Sequence, residues 1–272
     1  MIIRQSMLKT WMECPLKIRW QFLEGLQREQ GASAIYGSII HDCVLHLEET
    51  QDVEAAVERF KRFWAEPHLL DPEYRIDYYV RGTNWRKFLQ SGEEILRSWW
   101  EIAKWDTDLV LAREHTFNVP IGDGHILHGT VDKLVLRYRA ATDEWVVLIS
   151  DYKTNRKQPT YGYLAEDLQF SAYSLASLHP DFWIGIPNGA ELYEKYKNLP
   201  RYGEWVQLTS AKRMDAGIRT ERHYNRLVAA VNAMAESYAM RIFVPNISGE
   251  SCTFCDFRKQ CGLPELMEED WG

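Results

Sequence analysis

The sequence predicts an α/β fold in which a mixed central β-sheet is flanked by helices. Three observations support this fold class. Up to about residue 108, apolar residues recur mostly with helical spacing. From Leu109 onward, segments rich in β-branched and aromatic residues alternate with short turn signals. Strand and helix patterns then follow one another as far as Met240, which is typical of a sheet covered by helices.

The N-terminal third is expected to be mostly helical. A short helix should begin at an N-cap Ser6, and Pro15 should start a second helix that ends at Gly25. Longer helical patterns cover residues 36–64 and 85–105.

Three strands are predicted next, over residues 110–121, 125–140 and 144–154. Their short connections contain turn residues, so they should form an antiparallel meander. A helix is expected from about Gly162 to Leu178.

The remaining pattern is less regular. It predicts one strand within residues 183–196, another over 203–209, and a long helix from about Lys212 to Met240. The cysteine-containing tail, residues 246–262, is expected to be loop-like.

Composition limits the function classes. The chain has 272 residues with 32 Lys and Arg against 39 Asp and Glu, a net charge of -7. This excludes a polybasic protein that binds nucleic acid by its global charge, so any such surface must be local. No run of about 18 apolar residues and no signal-peptide pattern is present. A cytoplasmic protein without a membrane segment is therefore expected.

The chemistry is expected at the end of the strand meander. Asp151 and Lys153 share one face of a strand, and Asp132 on the paired strand can approach Asp151. Two carboxylates beside a lysine suit Mg²⁺ or Mn²⁺, and the lysine could orient a metal-bound water or stabilise the anionic transition state. An isolated D-x-K is, however, most often a solvated strand end.

Further polar residues strengthen the catalytic interpretation. Glu114 lies on the preceding strand and His41 on an upstream helix, while Gln169 and Tyr173 are one helical turn apart. Taken alone, His41 is more often a packed core histidine than a ligand. Together with Asp132 and Asp151, these four residues predict an active site.

The order of these residues resembles the motif series of RecB-like nucleases in the PD-(D/E)XK superfamily. The matching segments span almost the whole chain and read G-x-x-x-H, G-x-x-D, D-Y-K-T and Q-x-x-x-Y, at Gly37–His41, Gly129–Asp132, Asp151–Thr154 and Gln169–Tyr173. The resemblance implies a restriction-endonuclease-like core. It also implies one nuclease domain over 1–272, with a catalytic core at 109–180 and a helical insertion at 50–108.

The resemblance also implies roles for the individual residues. His41, Asp132 and Asp151 would bind the catalytic Mg²⁺ or Mn²⁺, and Lys153 would be catalytic. Gln169 and Tyr173 would support the active site or the DNA. Glu114 matches a less uniform acidic position of the family.

The five cysteines indicate a second centre. Their odd number, without a secretory signal, favours metal ligation or redox chemistry over disulfides. Cys252, Cys255 and Cys261 form C-x2-C-x5-C, and Cys14 supplies a fourth thiol from the far end of the chain. Four thiolates suit zinc as well as an iron-sulfur cluster. Cys43, in an apolar helix, is expected to be a buried hydrophobic residue.

The one-plus-three arrangement is similar to that of the iron-sulfur RecB-like nucleases, namely the CRISPR-associated exonuclease family and the AddB-type nuclease domain. It implies that Cys14, Cys252, Cys255 and Cys261 hold a [4Fe-4S] cluster. The cluster would join residues 1–30 to residues 245–265.

Basic and aromatic residues near these motifs suggest a DNA path with stacking side chains. The basic residues are Lys17, Arg19, Lys153, Arg156, Lys157, Arg258 and Lys259, and the aromatic ones are Trp20, Tyr161, Tyr163 and Phe257. Solvated charges and core aromatics are the alternative for each residue taken singly.

The expected function is a metal-dependent DNA exonuclease acting on single strands or DNA ends, in prokaryotic or phage recombination, repair or CRISPR adaptation. Since no Walker motif is present, unwinding would need a helicase, and a recombination or CRISPR adaptation protein is another expected partner. Three alternatives remain: an endonuclease of the same fold, an inactive nucleic-acid binding or assembly module, and a zinc-stabilised structural protein.

Overall fold

Six strands form one mixed sheet in the computed structural model, which describes residues 1–26, 32–74, 85–246, 252 and 255–262. The strands are β1 (Ile2–Arg4), β2 (Leu109–Ile121), β3 (His125–Arg139), β4 (Glu144–Lys153), β5 (Arg201–Gln207) and β6 (Lys212–Ile218). The sheet order is β1-β3-β4-β5-β6, and β2 pairs with β3. The predicted α/β class with a mixed sheet is confirmed.

Strand β3 organises the sheet because it has three partners. Antiparallel β2 pairs along one edge of it, from Leu109–Leu136 to Ile121–His125. The other edge is shared: parallel β1 pairs with residues 126–128, and antiparallel β4 pairs from Lys133 onward. Residues 129–132 therefore lie in a gap between β1 and β4.

Helices cover both faces of the sheet. They are α1 (Gln5–Glu13), α2 (Pro15–Ile18), α3 (Ala32–Thr50), α4 (Val53–Ala65), α5 (Trp85–Ala103), α6 (Tyr161–Glu166), α7 (Leu168–Ser177), α8 (Gly189–Tyr196) and α9 (Glu221–Met240). Helix α2 continues into a π-helical turn over Arg19–Leu23.

Two large hydrophobic clusters stabilise this arrangement. In the first, α1, α7 and α9 pack on β2, β3 and β4 around side chains such as Phe117 and Val131. In the second, α3, α4 and α5 pack together and enclose Tyr152 and Val206 from the ends of β4 and β5. The sequence motifs singled out above lie where these two layers meet.

The predicted meander is confirmed as β2, β3 and β4. The sequence pattern that produces these strands is clearest in β2. There the residues between four buried side chains are exposed, and the buried ones are His115, Phe117, Val119 and Ile121. Such alternation places every second side chain in the core.

Helix α1 and the pair α6 and α7 differ in detail from the predictions. Helix α1 begins at Gln5, so Ser6 lies inside the helix and is not its N-cap. The helix predicted as continuous over 162–178 is two helices, because Asp167 is extended and caps α7 by accepting hydrogen bonds from two backbone N–H groups.

The strand predicted within residues 183–196 is wrong. A 3₁₀ turn covers Pro180–Trp183, and α8 begins at Gly189. Aromatic residues suggested a strand, but their helical spacing packs Tyr196 into the first hydrophobic cluster. A Cβ at Gly189 would lie 2.0 Å from the Trp183 carbonyl oxygen, so this turn favours glycine.

The long helix predicted from Lys212 is also wrong over its first part. Residues Lys212–Ile218 form β6, antiparallel to β5. The left-handed backbone of Ala211 reverses the chain, and α9 starts only at Glu221, after a capping box at Thr220.

Parts of the predicted segments lie outside the described residues. This concerns residues 27–30 of the N-terminal segment, 75–84 of the helical insertion, and 247–251, 253–254 and 263–265 of the cysteine-containing end. Within the part of the chain that the structure describes, no helix has both the length and the apolar character needed to cross a membrane.

Candidate metal centre

The candidate centre lies where β4 leaves β3. Their register ends at Lys133–Ser150, and β4 then continues beside β5 alone, with Asp151 opposite Trp205. The Asp132 side chain spans the opening, because its Oδ2 accepts a hydrogen bond of 2.6 Å from the Tyr152 N–H. The strand separation therefore creates a polar fork lined by Asp132 and Asp151.

Three side chains from three elements converge at this fork. One ligand atom each of His41, Glu114 and Asp132 lies within 4.8 Å of the others. His41 Nδ1 is 3.7 Å from Asp132 Oδ2. Such a group of one imidazole and two carboxylates could hold a metal ion.

Glu114 reaches the group through an unusual backbone. Its φ of 44° lies in the left-handed region, which non-glycine residues rarely adopt. The neighbouring pairs Arg113–Lys133 and His115–Val131 keep β2 in register with β3 on either side. Backbone strain of this kind is concentrated at functional sites.

Asp151 lies beside the group and is 1% exposed. Its Oδ1 accepts a 2.7 Å hydrogen bond from the Gln169 amide. Its Oδ2 is 2.5 Å from the Lys153 ammonium, but it accepts no well-directed hydrogen bond. A buried carboxylate oxygen in this state can still coordinate a cation.

Burial and neighbouring charges shift the ionisation of these groups. Burial raises the pKa of Asp151 to about 7, with Lys153 opposing the shift and Asp132 adding to it. Desolvation and the carboxylates of Asp132, Asp42 and Asp151 raise the pKa of Glu114 to about 7. Two carboxyl groups thus titrate near neutrality, which is typical of functional sites.

The two basic groups of the centre, His41 and Lys153, differ in protonation state. Burial, partly offset by Asp132, lowers the pKa of His41, so its imidazole is neutral and can be a ligand. Burial lowers the pKa of Lys153, but Asp151 and Asp132 outweigh it and the net shift is upward. Lys153 therefore remains an ammonium.

The glycines of the motifs have packing roles. A Cβ at Gly37 would lie 3.2 Å from Thr154 Oγ1, so glycine lets α3 approach the end of β4. A Cβ at Gly129 would lie 2.8 Å from the Phe117 ring and 3.3 Å from the Tyr173 ring. Gly129 therefore leaves room for α7 against the gap in β3.

Helix α7 presents Gln169 and Tyr173 to the fork. The Gln169 amide donates to both Asp151 and the Tyr173 hydroxyl, the latter at 2.9 Å. Sequence reasoning missed Asp167, whose carboxylate caps α7 and thereby orients Gln169. The available signal was an Asp directly before a helical pattern.

The four predicted cluster cysteines come together at a second place. Cys14, Cys252, Cys255 and Cys261 line one cavity of about 500 Å³. The backbone of Asn246 joins two of them, because its N–H donates to Cys14 Sγ and its carbonyl accepts from Cys252 Sγ. Cys43 is instead fully buried beneath α4 and α5.

The predicted DNA-contacting residues divide into two groups. Lys17, Arg19, Trp20 and Arg258 line the cysteine cavity. Arg156 lines a cleft beside the candidate centre, together with Lys87, which was not predicted. Tyr161 and Tyr163 are exposed and follow Arg156 closely in the sequence. Phe257 is 3% exposed, so the expectation that its ring stacks on bases is wrong.

The fork is suited to a divalent cation. Oxygen ligands favour Mg²⁺ and Mn²⁺, and a single imidazole is also acceptable to Mn²⁺. A metal ion held there could activate a water and stabilise negative charge on a phosphoryl group, so the geometry is compatible with metal-dependent hydrolysis.

Comparison with known families agrees with this chemistry. A family model of the PD-(D/E)XK nuclease superfamily matches residues 4–262. The chain therefore belongs to the PD-(D/E)XK nuclease superfamily. A comparison with curated proteins gave no match.

Proposed function

We propose that this protein is a metal-dependent DNA exonuclease that acts on single strands or DNA ends. The observation that carries the proposal is the convergence of His41, Glu114 and Asp132 beside the Asp151–Lys153 pair. Its proposed setting is the cytoplasm of a prokaryote or phage-infected host, in recombination, repair or CRISPR adaptation. A helicase or another protein of these pathways is the proposed partner.

His41, Asp132 and Asp151 are the proposed metal ligands, with Glu114 as a further acidic one. A bound Mg²⁺ or Mn²⁺ would acidify a water and neutralise charge on the scissile phosphate. Asp151 Oδ2 has no hydrogen-bond partner among the described residues and lies 2.5 Å from the Lys153 ammonium, so a metal ion bound to it would be next to this lysine. Gln169 holds the other oxygen and fixes the orientation of the carboxylate.

Lys153 is the proposed catalytic cation. Its ammonium keeps its proton, so it stabilises negative charge and does not act as a general base. The Trp205 ring, whose centroid is 5.7 Å from Lys153 Nζ, limits where this ammonium can move. Tyr173 supports Gln169 and not the metal directly.

A groove beside the fork supports a nucleic-acid substrate. Two clefts of about 620 Å³ each share Ser33, Ala34 and Thr154. One contains His41 and Glu114, and the other contains Lys87 and Arg156. A phosphate backbone lying along both would have cations next to the reaction centre although the net charge of the chain is -7.

The cysteine cavity supports a [4Fe-4S] cluster bound by Cys14, Cys252, Cys255 and Cys261. Their shared cavity, of about 500 Å³, brings Cys14 close to three cysteines that follow it by more than 230 residues. Four thiolates at one place suit either zinc or an iron-sulfur cluster, and metal analysis distinguishes the two.

The test is a cleavage assay with Mn²⁺, Mg²⁺ or EDTA on end-labelled linear DNA, circular single-stranded DNA and RNA. An exonuclease degrades linear DNA and leaves circles intact, whereas cleavage of circles would indicate an endonuclease. Asp151→Asn and Lys153→Ala should abolish cleavage, while Lys197→Ala, at an exposed ion pair with Glu194, should not. Binding without cleavage under all conditions would instead support an inactive binding module.

A further inference from the structure

Behind the candidate metal centre lies a buried carboxylate that none of the motifs contains. Glu48 is on α3, two turns after His41, and its side chain is 5% exposed. Removing a carboxylate from water costs several kcal/mol unless charges and hydrogen bonds compensate it. Its partners therefore show what the protein uses it for.

Glu48 has four partners on four different elements, β2, β3, β4 and α5. Its Oε2 lies 2.7 Å from Lys133 Nζ and 3.4 Å from Arg113 Nε. Its Oε1 accepts a 2.6 Å hydrogen bond from the Tyr152 hydroxyl and a 3.3 Å one from the Trp99 indole. The carboxylate is thus satisfied at both oxygens.

Three of these partners are direct sequence neighbours of the candidate ligands. Arg113 precedes Glu114, Lys133 follows Asp132, and Tyr152 follows Asp151. Glu48 itself shares a helix with His41. Every chain segment that brings a ligand to the fork is therefore tied to this one carboxylate.

We propose that Glu48 is a positioning residue that holds these four segments at the spacing a metal ion requires. The inference rests on the proposed metal centre. Tyr152 connects Glu48 directly to a candidate ligand. Its hydroxyl donates to Glu48, and its backbone N–H donates to Asp132. A shift of Tyr152 toward or away from α3 would move Asp132 and Asp151 together.

The positive charges of Lys133 and Arg113 explain why residue 48 must be a carboxylate. Lys133 also lies 3.9 Å from Asp106, but Arg213 already binds both oxygens of Asp106 at 2.7 and 2.6 Å. Without the charge of Glu48, Lys133 and Arg113 would face each other with little compensation. Both strands would lose their attraction to α3, and the repulsion between the two cations would act between β2 and β3. The ligands Glu114 and Asp132 would move with these strands.

The test measures Mn²⁺ affinity by electron paramagnetic resonance on folded, cofactor-loaded protein. Glu48→Gln keeps the shape and an acceptor for Tyr152 but removes the charge, and it should weaken Mn²⁺ binding about tenfold or more. Tyr152→Phe removes only the hydroxyl link and should weaken it less. Both should change the Mn²⁺ spectrum, since the ligand geometry changes.

Asp108→Asn is the matched control. Asp108 is 12% exposed and forms an ion pair with Arg137 at 2.6 Å. Among the described residues its side-chain hydrogen bonds go to Arg137, which is not adjacent in sequence to a candidate ligand. It should lower the melting temperature and leave Mn²⁺ affinity unchanged. If Glu48→Gln and Tyr152→Phe behave like this control, Glu48 is only structural and the inference is overturned.

Two further outcomes separate this inference from the proposed function. If the unmodified protein binds no Mn²⁺, or if Asp132→Asn does not reduce its binding, the metal centre itself is wrong. If Glu48→Gln does not fold, Tyr152→Phe decides: wild-type affinity and spectrum in that variant would overturn the positioning role.

Discussion

The side-chain amide of Gln169 donates to Asp151 Oδ1 at 2.7 Å and joins helix α7 to strand β4. Without this bond the carboxylate can rotate, so we expect Gln169→Ala to reduce turnover about 10- to 100-fold with a small change in melting temperature. Steady-state cleavage and thermal unfolding measure the two effects. Gln90→Ala, at an exposed glutamine on α5, is the control and should change neither. An equal loss of stability and activity in Gln169→Ala would contradict this role.

Gly129 should tolerate no side chain. In Gly129→Ala the new Cβ would contact the Phe117 and Tyr173 rings, so the free energy of unfolding should fall by about 1–3 kcal/mol. Gly162→Ala is a matched control, because a Cβ there meets no atom within 4 Å and the residue lies in helix α6. It should be neutral or stabilising by up to about 1 kcal/mol. Denaturant unfolding of both variants gives the comparison.

Metal binding should depend on pH near neutrality. Asp151 and Glu114 each have a pKa raised to about 7, so below pH 7 both carry protons that a cation must displace. Apparent Mn²⁺ affinity should therefore rise with pH, and below pH 7 it should change about tenfold per pH unit for each proton released. Titration calorimetry at pH 6 and pH 8 measures this. Glu114→Gln should reduce the pH dependence, and equal affinity at both pH values would contradict the prediction.

The cysteines should differ sharply in their effect on the cofactor. Cys14→Ser or Cys255→Ser should give colourless, protease-sensitive protein, because the proposed cluster would join residues 1–30 to residues 245–265. DNA binding should weaken as well, since Arg258 loses its anchored loop. Cys43→Ser should keep the colour. Anaerobic purification followed by iron, sulfide and zinc analysis measures this, and one equivalent of zinc in colourless wild-type protein would exclude the cluster.

Burial should also protect Cys43 from alkylation. Desolvation raises the pKa of its thiol far above the usual range, so the reactive thiolate is scarce. Iodoacetamide on native protein should leave Cys43 unmodified, and unfolding in denaturant should make it react. Peptide mass spectrometry before and after unfolding gives the answer, and rapid labelling of the native protein would show that this part of the core opens.

Local sequence patterns predicted the strands of the meander and the motifs well, because these features depend on residues close together in the sequence. Alternation in β2 and the adjacent turns defined the meander, and the one-turn spacing of Gln169 and Tyr173 placed both on one side of α7. The patterns failed where tertiary contacts determine the secondary structure. Lys212–Ile218 becomes a strand because β5 offers it an open edge, not because of its composition.

The candidate site shows the same division. Asp132, Asp151 and Lys153 could be identified as a set from their order, but their geometry depends on the point at which β4 leaves β3. The left-handed backbone of Glu114 has no sequence signal, since most non-glycine residues avoid it. Glu48 could not be found either, because a glutamate on a helix is ordinarily solvated and its partners are 51 to 104 residues away.

The interrupted edge of β3 also bears on the solubility of the protein. An open sheet edge can recruit a strand from another molecule, and this is a common route to aggregation. Among the described residues of this edge, 129–132 lack a neighbouring strand, and β1 and β4 close the edge before and after them. Four residues are too few for an added strand to pair stably. This stretch of β3 is therefore not a template for intermolecular β-sheet growth.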